Sequence, residues 1–149
     1  MAFAISRSGR TNRSVIIYNA IKVNVKGDFD LLGQVLYNLI DNAVKFTNEN
    51  GELRIALFRE NDRAVCRIRN TGAGIPAEEM PHIFERFYKS DRSRGLDKTG
   101  VGLGLYIVQT VISLHRGEVV VRSVEGEYTE FEFWLPLPPV KTKNPKQNK

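Results

Sequence analysis

Two asparagines and a lysine stand at helical spacing in Gln34-Val-Leu-Tyr-Asn-Leu-Ile-Asp-Asn-Ala-Val-Lys-Phe46. At about 100° per residue, Asn38, Asn42 and Lys45 fall within about 60° of one another on a helix. Leu32, Val35, Leu36, Leu39, Ala43 and Phe46 form a second stripe of roughly 100°, the face such a helix turns to a core. Amides and an ammonium are poor nucleophiles. They are suited to holding a phosphate chain and a hard cation, for which an amide oxygen is an acceptable ligand.

Two glycine loops follow. In Asn70-Thr-Gly72-Ala-Gly74-Ile-Pro76 the alternate glycines let the backbone bend sharply and leave no side chain between it and a flat ligand. The Asn70 amide offers one acceptor and two donors, which matches a purine edge. The same stretch also reads as a tight strand-to-helix turn. The second loop, Thr99-Gly100-Val-Gly102-Leu-Gly104-Leu105, opens into a helix, whose free N–H groups and dipole make an anion site. Its G-x-G-x-G spacing, behind a charged loop instead of a strand, excludes a dinucleotide-fold fingerprint. The phosphate-loop signature and the protein-kinase H-R-D and D-F-G signatures are absent. Neither His82 nor His115 has a second histidine or a cysteine at i+3 or i+4, and a lone glutamate at i+3 makes no metal-ligand set, so both read as structural or surface residues. There is no serine nucleophile elbow and no carboxylate pair in a glycosidase-like setting.

The elements that must position these groups are legible from periodicity. Residues 1–13 are Ser/Arg/Asn-rich and read as a disordered or extraneous lead. Ser14–Asn19 and Ile21–Val25 are β-branched and read as strands. Asp28 is placed to N-cap a helix from about Phe29 to Phe46, which the turn cluster Thr47–Gly51 ends. Glu52–Glu60 and Ala64–Arg69 read as a hairpin joined by Asn61-Asp62-Arg63. Ala77–Ile83 reads as a short helix, Tyr88–Thr99 as a mobile charged loop, and Leu105–Leu114 as the second long helix. Glu118–Ser123 and Thr129–Leu135 close the chain as a hairpin, ended by Pro136, Pro138 and Pro139. Strands, helix, hairpin, loop, helix, hairpin is an α+β order. It predicts a two-layer α/β sandwich, with a mixed, mostly antiparallel sheet covered on one face by helices.

Composition sets the outer bounds. At 149 residues, 42% apolar and 26% charged, the chain is one domain with an ordinary core. A single cysteine, Cys66, excludes a disulfide framework and a cysteine-rich zinc site, and its apolar neighbours mark it as a buried structural thiol. The net charge of +5 resides in the ends: Arg7, Arg10 and Arg13 in the lead, and Lys141, Lys143, Lys146 and Lys149 in the tail. The intervening chain is near neutral, and no aromatic interleaving accompanies the basic ends, so no nucleic-acid partner is expected. Neither a signal peptide nor a bilayer-spanning apolar run is present, so a cytoplasmic piece without membrane contact of its own is expected.

Three motifs now stand in order: N-L-x-x-N-A-x-K-F from Asn38, N-T-G-x-G-I from Asn70, and T-G-x-G-L-G-L from Thr99, with Ile83-Phe-Glu-Arg-Phe-Tyr-Lys89 between the last two. Together they resemble the catalytic, ATP-binding domain of bacterial sensor histidine kinases, part of the wider family of gyrase, heat-shock chaperone, histidine kinase and mismatch-repair ATPases. The resemblance covers residues 14–137, with 1–13 as the lead and 138–149 as a basic disordered tail. It implies ATP and Mg²⁺. Asn38, Asn42 and Lys45 would face the triphosphate, with Asn42 a magnesium ligand, and Asn38 and Lys45 acting in catalysis. Phe46, Ile75 and Tyr88 would lie near the nucleotide. Asn70 would meet the adenine amine, with Gly72 and Gly74 letting the base lie close. Phe84 and Phe87 would anchor a lid, Lys89–Thr99, whose cations Lys89, Arg92, Arg94 and Lys98 supply the contact to the γ-phosphate. Thr99, Gly100, Val101, Gly102, Leu103, Gly104 and Leu105 would wrap the phosphates, and Thr129 would complete the site.

Two positions depart from the family pattern. Asn70 stands where the family usually has Asp, which keeps the acceptor but removes the charge. Tyr128 stands where a late glycine is common, so no glycine role passes to it. The resemblance also implies partners: a histidine-bearing dimerisation domain of the same full-length kinase, and a response regulator downstream. No H-E-x-x-[TN]-P segment occurs here, so the chain reads as an isolated catalytic piece of a longer, membrane-anchored protein. Such a piece is expected to be monomeric and unable to autophosphorylate. Two rivals remain. Hydrolases of the family place a glutamate four residues before the metal-binding asparagine to activate water, and Asn38 stands there, which argues against hydrolysis. A purely regulatory nucleotide-binding module is favoured only by Asn70.

Overall fold

The computed structural model describes residues 3–6, 13–89 and 103–139. Six strands form one sheet: β1 (Phe3–Ser6), β2 (Ser14–Tyr18), β3 (Glu52–Glu60), β4 (Arg63–Thr71), β5 (Glu118–Val124) and β6 (Tyr128–Pro136). Their order is β1-β2-β3-β4-β6-β5. Only β2 and β3 run parallel, because α1 (Phe29–Phe46) is the crossover between them. The second helix, α2 (Gly104–Leu114), packs against α1, and the two lie on the same face of the sheet. The α+β two-layer sandwich expected from the sequence is the fold observed.

The core follows from alternation. Leu53 on β3, Cys66 and Ile68 on β4, Val119 on β5, and Phe131, Phe133 and Leu135 on β6 share the helix-facing side. They meet Val35, Leu39 and Ala43 of α1 and Val108, Val111 and Ile112 of α2. Leu36 falls outside this set, 39% exposed, so the buried stripe of α1 is narrower than the sequence suggests. Burial alone pushes the Cys66 thiol up to about 12. Alkylation of the native protein near neutral pH is therefore expected to be negligible and to become fast only in denaturant; rapid labelling of the folded protein would contradict this packing.

The opposite face of the sheet is ordered by arginines. Arg67 pairs with Glu132 at 2.8 Å, its direct cross-strand neighbour, and Arg122 bridges Glu130 and Glu132 at 3.2 and 3.3 Å. Arg63 stacks on Trp134 and Arg69 on Tyr128, at 3.8 and 3.7 Å from the ring centroids. These contacts let aromatic rings lie outside the helix-covered core without being left bare.

The start of α1 is held by defined contacts. Asp28 Oδ1 accepts from Leu31 N–H at 3.0 Å, the expected N-cap. His115, at the end of α2, accepts the Asp28 N–H on Nε2 at 3.0 Å and donates through Nδ1 to the Val111 carbonyl at 2.8 Å, which gives this histidine its structural role. Within α1, Gly33 is exposed, and a Cβ there meets nothing within 4 Å. Gly33→Ala is accordingly expected to stabilise the fold by about 0.5–1 kcal/mol, a Tm gain of roughly 1–4 °C in thermal unfolding.

Three local expectations change. The lead contributes a strand, since Phe3–Ser6 pairs antiparallel with β2. Ile21–Val25 is not a strand: Asn19 takes φ 49° and turns the chain away, leaving among the described residues the one backbone bond from Ile21 N–H to the Leu57 carbonyl. Ala77–Ile83 holds a turn and a single 3₁₀ turn, Met80–His82, in place of an α-helix.

Candidate functional site

The polar flank of α1 is arranged as its spacing requires. Asn38 and Asn42 are half-buried, and Lys45 lies at the exposed margin. Asn38 Nδ2 donates to the carbonyl of Gly104 at 3.3 Å, so the middle of α1 holds the first residue of α2, where the second glycine loop ends. Lys45 pairs with Asp41 one turn back at 2.9 Å; both side chains are over a third exposed, so solvent screens the pair. The Asn42 amide has no hydrogen-bond partner among the described residues. A half-buried amide left unbonded at the middle of a polar flank is available to an oxygen-rich ligand or a cation.

The first glycine loop is built onto the end of α1 by backbone contact. Thr47 and Gly72 form an isolated antiparallel bridge. A Cβ at Gly72 would sit 2.3 Å from the Phe46 carbonyl oxygen, so only glycine permits this approach. Gly74 takes φ +68°, and a Cβ there would lie 2.4 Å from the Val124 carbonyl. Ile75 N–H donates to Ser123 Oγ at 2.7 Å, and Ser123 Oγ donates to the Tyr128 carbonyl at 2.7 Å. Ser123 therefore fastens the loop to the β5–β6 hairpin.

Asn70 lies on the helix-facing side at the end of β4, only 4% exposed, directly across from Thr129 on β6. Thr129 in turn lies 3.2 Å from Ser123, Oγ to Oγ. Asn70 Nδ2 donates to the Thr71 carbonyl at 3.2 Å, while no donor among the described residues reaches its Oδ1. An acceptor oxygen with no donor among the described residues, on a largely buried asparagine beside a glycine-lined approach, matches a ligand amine. The contact to Thr71 also fixes the amide's orientation.

Around this floor, Ile75, Phe84, Tyr88 and Leu105 pack against the core. Phe84 meets Phe131 edge-on at 6.1 Å, in keeping with an anchor. Phe87 does not pack in: it is 61% exposed at φ 65°, with the Arg86 guanidinium 4.9 Å from its ring. Lys89 is half-buried where the charged loop begins. Leu103 precedes α2 without a side-chain cap, so the first N–H groups of that helix are not capped by it. Arg92, Thr99, Gly100, Val101 and Gly102, with Arg94 and Lys98, lie outside the described residues.

Three contacts thus join the motifs: Asn38 to Gly104, Phe46–Thr47 to Gly72, and Asn70 beside Thr129. The residues fit an adenine nucleotide, with a flat approach over glycine, an open acceptor oxygen on a largely buried asparagine and a cationic flank. They fit magnesium only as a phosphate-borne ion, since Asn42 offers one amide oxygen and the described residues contain no cluster of three His, Cys, Asp or Glu side chains. Thr71 and Ser123 were missed in the sequence. Thr71 Oγ donates to Asn48 Oδ1 at 2.8 Å and accepts from Glu52 N–H at 2.8 Å, tying the helix-ending turn to the glycine loop. Hydroxyls beside glycine loops are a weak signal, and their partners lie in other strands.

Comparison with known proteins agrees with this geometry. Residues 27–139 match the family model described as histidine kinase-, DNA gyrase B- and HSP90-like ATPase. The sensor protein SrrB of Staphylococcus aureus is 40% identical over 111 residues, 74% of this chain and 19% of SrrB. The mycobacterial sensor histidine kinase MprB superposes with a TM-score of 0.69 at 33% identity, covering 78% of each chain. Full-length ShkA, solved in complex with AMPPNP, superposes with a TM-score of 0.70 at 27% identity, covering 89% of this chain and 27% of that one. The chain spans 15–34% of the length of curated relatives that it matches, among them the circadian input-output histidine kinase CikA of Synechococcus elongatus and the adaptive-response sensory kinase SasA of Crocosphaera subtropica. Motifs, fold and relatives agree: the chain belongs to the histidine kinase-, DNA gyrase B- and HSP90-like ATPase family, as an ATP-binding domain of the sensor histidine kinase type.

Proposed function

We propose that this domain binds Mg-ATP and delivers the γ-phosphoryl group to a histidine on a separate dimerisation domain, from which it passes to a response regulator. The observation that carries the reading is Asn38. At the position where a hydrolase of this family needs a glutamate, the side chain is an amide engaged with the Gly104 carbonyl at 3.3 Å. It has no basic oxygen to take a proton from water. It fastens α1 to the start of α2, which supports a reading in which the attacking group is a histidine supplied by another domain.

Phosphoryl transfer asks the protein for positioning and charge neutralisation more than for covalent chemistry. Asn70 and the glycine backbone would hold the adenine. Asn42 would hold magnesium, which when bound neutralises charge between phosphate oxygens. Lys45 and a lid cation would meet the terminal phosphates, and the α2 N-terminus would face the same anion. The direct test is to titrate ATP with and without Mg²⁺, then to supply a histidine-bearing dimerisation domain. Phosphohistidine on that domain and negligible free phosphate are expected; substantial ATP hydrolysis by the domain alone would instead favour the hydrolase.

Asn70→Asp tests the adenine contact. A carboxylate acceptor strengthens the hydrogen bond from the adenine amine, so ATP is expected to bind severalfold more tightly by calorimetry. An unchanged affinity would remove Asn70 from the base contact.

A further inference from the structure

We propose that the outer edge of β5 pairs with the β5 of a second copy of this chain, joining two sheets into one across a two-fold axis at Val120. Among the described residues, strand β5 (Glu118–Val124) is the end of the sheet and pairs only with β6. No backbone bond among the described residues is made along its outer edge between Glu118 and Arg122. Val119, Val120 and Val121 are β-branched, and no proline interrupts the strand. An edge of this kind is a template for another strand unless its charges forbid it.

The charges here select one partner and one register. Glu118, Val120 and Arg122 share the open face, whereas Val119 and Val121 share the helix-covered face. In antiparallel self-pairing, directly opposed residues must lie on the same face, so the two-fold axis has to pass through a residue. Through Val120, Glu118 of each copy opposes Arg122 of the other, Val119 opposes Val121, and Val120 opposes itself. Through Val119, Glu118 would oppose Val120 and Arg122 would lie past the start of the partner strand; through Val121, Glu118 and Arg122 would each oppose a valine. Only the Val120 axis pairs opposite charges, and it does so twice. Glu118 is exposed and has no ion-pair partner among the described residues. The Arg122 side chain is 52% exposed despite its contacts to Glu130 and Glu132. The contact is isologous and closes at two copies. It uses no residue of the nucleotide site.

Sedimentation of the 149-residue chain over a roughly hundredfold concentration range tests this. The mass is expected to rise from 16.9 kDa to twice that value and stop. Glu118→Arg and Arg122→Glu should each weaken self-association at least tenfold, because each places like charges opposite one another twice. Mixed together, the two variants should associate with each other, since every contact then opposes Arg to Glu. Val120→Lys supplies an independent check where Arg122→Glu perturbs folding through its lost contacts. Its lysine faces Glu132 within the chain but its own symmetry mate across the axis, so it should stay monomeric. A wild type that remains monomeric, a Glu118→Arg variant that self-associates as well as wild type, or assembly beyond two copies would each overturn the proposal.

Discussion

Asn42→Ala is expected to lower phosphoryl transfer to a supplied histidine domain at least a hundredfold while leaving the fold as stable as before, or slightly more so. The two halves of this expectation have separate origins. The Asn42 amide has no partner among the described residues, so its removal strands no donor or acceptor among them. Alanine is also the better helix former in the interior of α1, by a few tenths of a kcal/mol. What is lost, under the proposed function, is the single amide oxygen offered to magnesium. With no carboxylate cluster among the described residues to replace it, the metal would keep only phosphate and water ligands. A hundredfold loss corresponds to about 2.7 kcal/mol of transition-state stabilisation, within reach of one metal ligand. Two measurements separate the site role from a structural one. In the variant, ATP affinity should lose most of its dependence on Mg²⁺, and thermal unfolding should match or exceed the wild-type midpoint. Full activity, or an unfolded variant, would contradict this assignment.

What could be read from the sequence, and what could not, follows the range of the interactions. The helix α1 begins and ends at Phe29 and Phe46 as its periodicity, the Asp28 cap and the Thr47 cluster require. Each of those signals is local. The hairpins were legible because alternating apolar residues flank turn residues, though β4 extends through Asn70 and Thr71 and the turn shrinks to Asn61-Asp62, with Asn61 at φ 53°. The failures are tertiary. Ile21–Val25 alternates as a strand should, but Asn19 turns it out of the sheet. Phe3–Ser6 is too short to announce itself and is a strand because β2 offers it an edge.

The site shows the same division. Asn38, Asn42 and Lys45 were legible because helical spacing alone puts them on one flank. That Asn38 reaches the Gly104 carbonyl was not, since the residues are 66 apart in sequence. Thr71 and Ser123, which hold the turn and the glycine loop, bond across strands and left no pattern of their own. The register that places Asn70 opposite Thr129 likewise belongs to the sheet and not to either segment.

The second large effect concerns Gly72→Ala, expected to cost about 1–3 kcal/mol of stability and to weaken ATP binding at least tenfold. A methyl group there would stand 2.3 Å from the Phe46 carbonyl oxygen, which is backbone in the last turn of α1 and cannot rotate aside. Either α1 or the glycine loop must therefore move. Movement of the loop breaks the Thr47–Gly72 bridge and the bond from Gly72 N–H to the Glu127 carbonyl. Movement of α1 shifts Asn42 and Lys45 relative to Asn70. Both adjustments separate Asn42 and Lys45 from Asn70, the residues proposed to hold phosphate and base, so affinity should fall whichever occurs. Gly126→Asn is the control. Gly126 also has a positive φ, +82°, but a Cβ there meets nothing within 4 Å, and asparagine tolerates the left-handed region. Binding by the control should stay near wild type. Equal damage from the two variants would show that backbone conformation, and not the close approach to Phe46, makes glycine necessary in the loop.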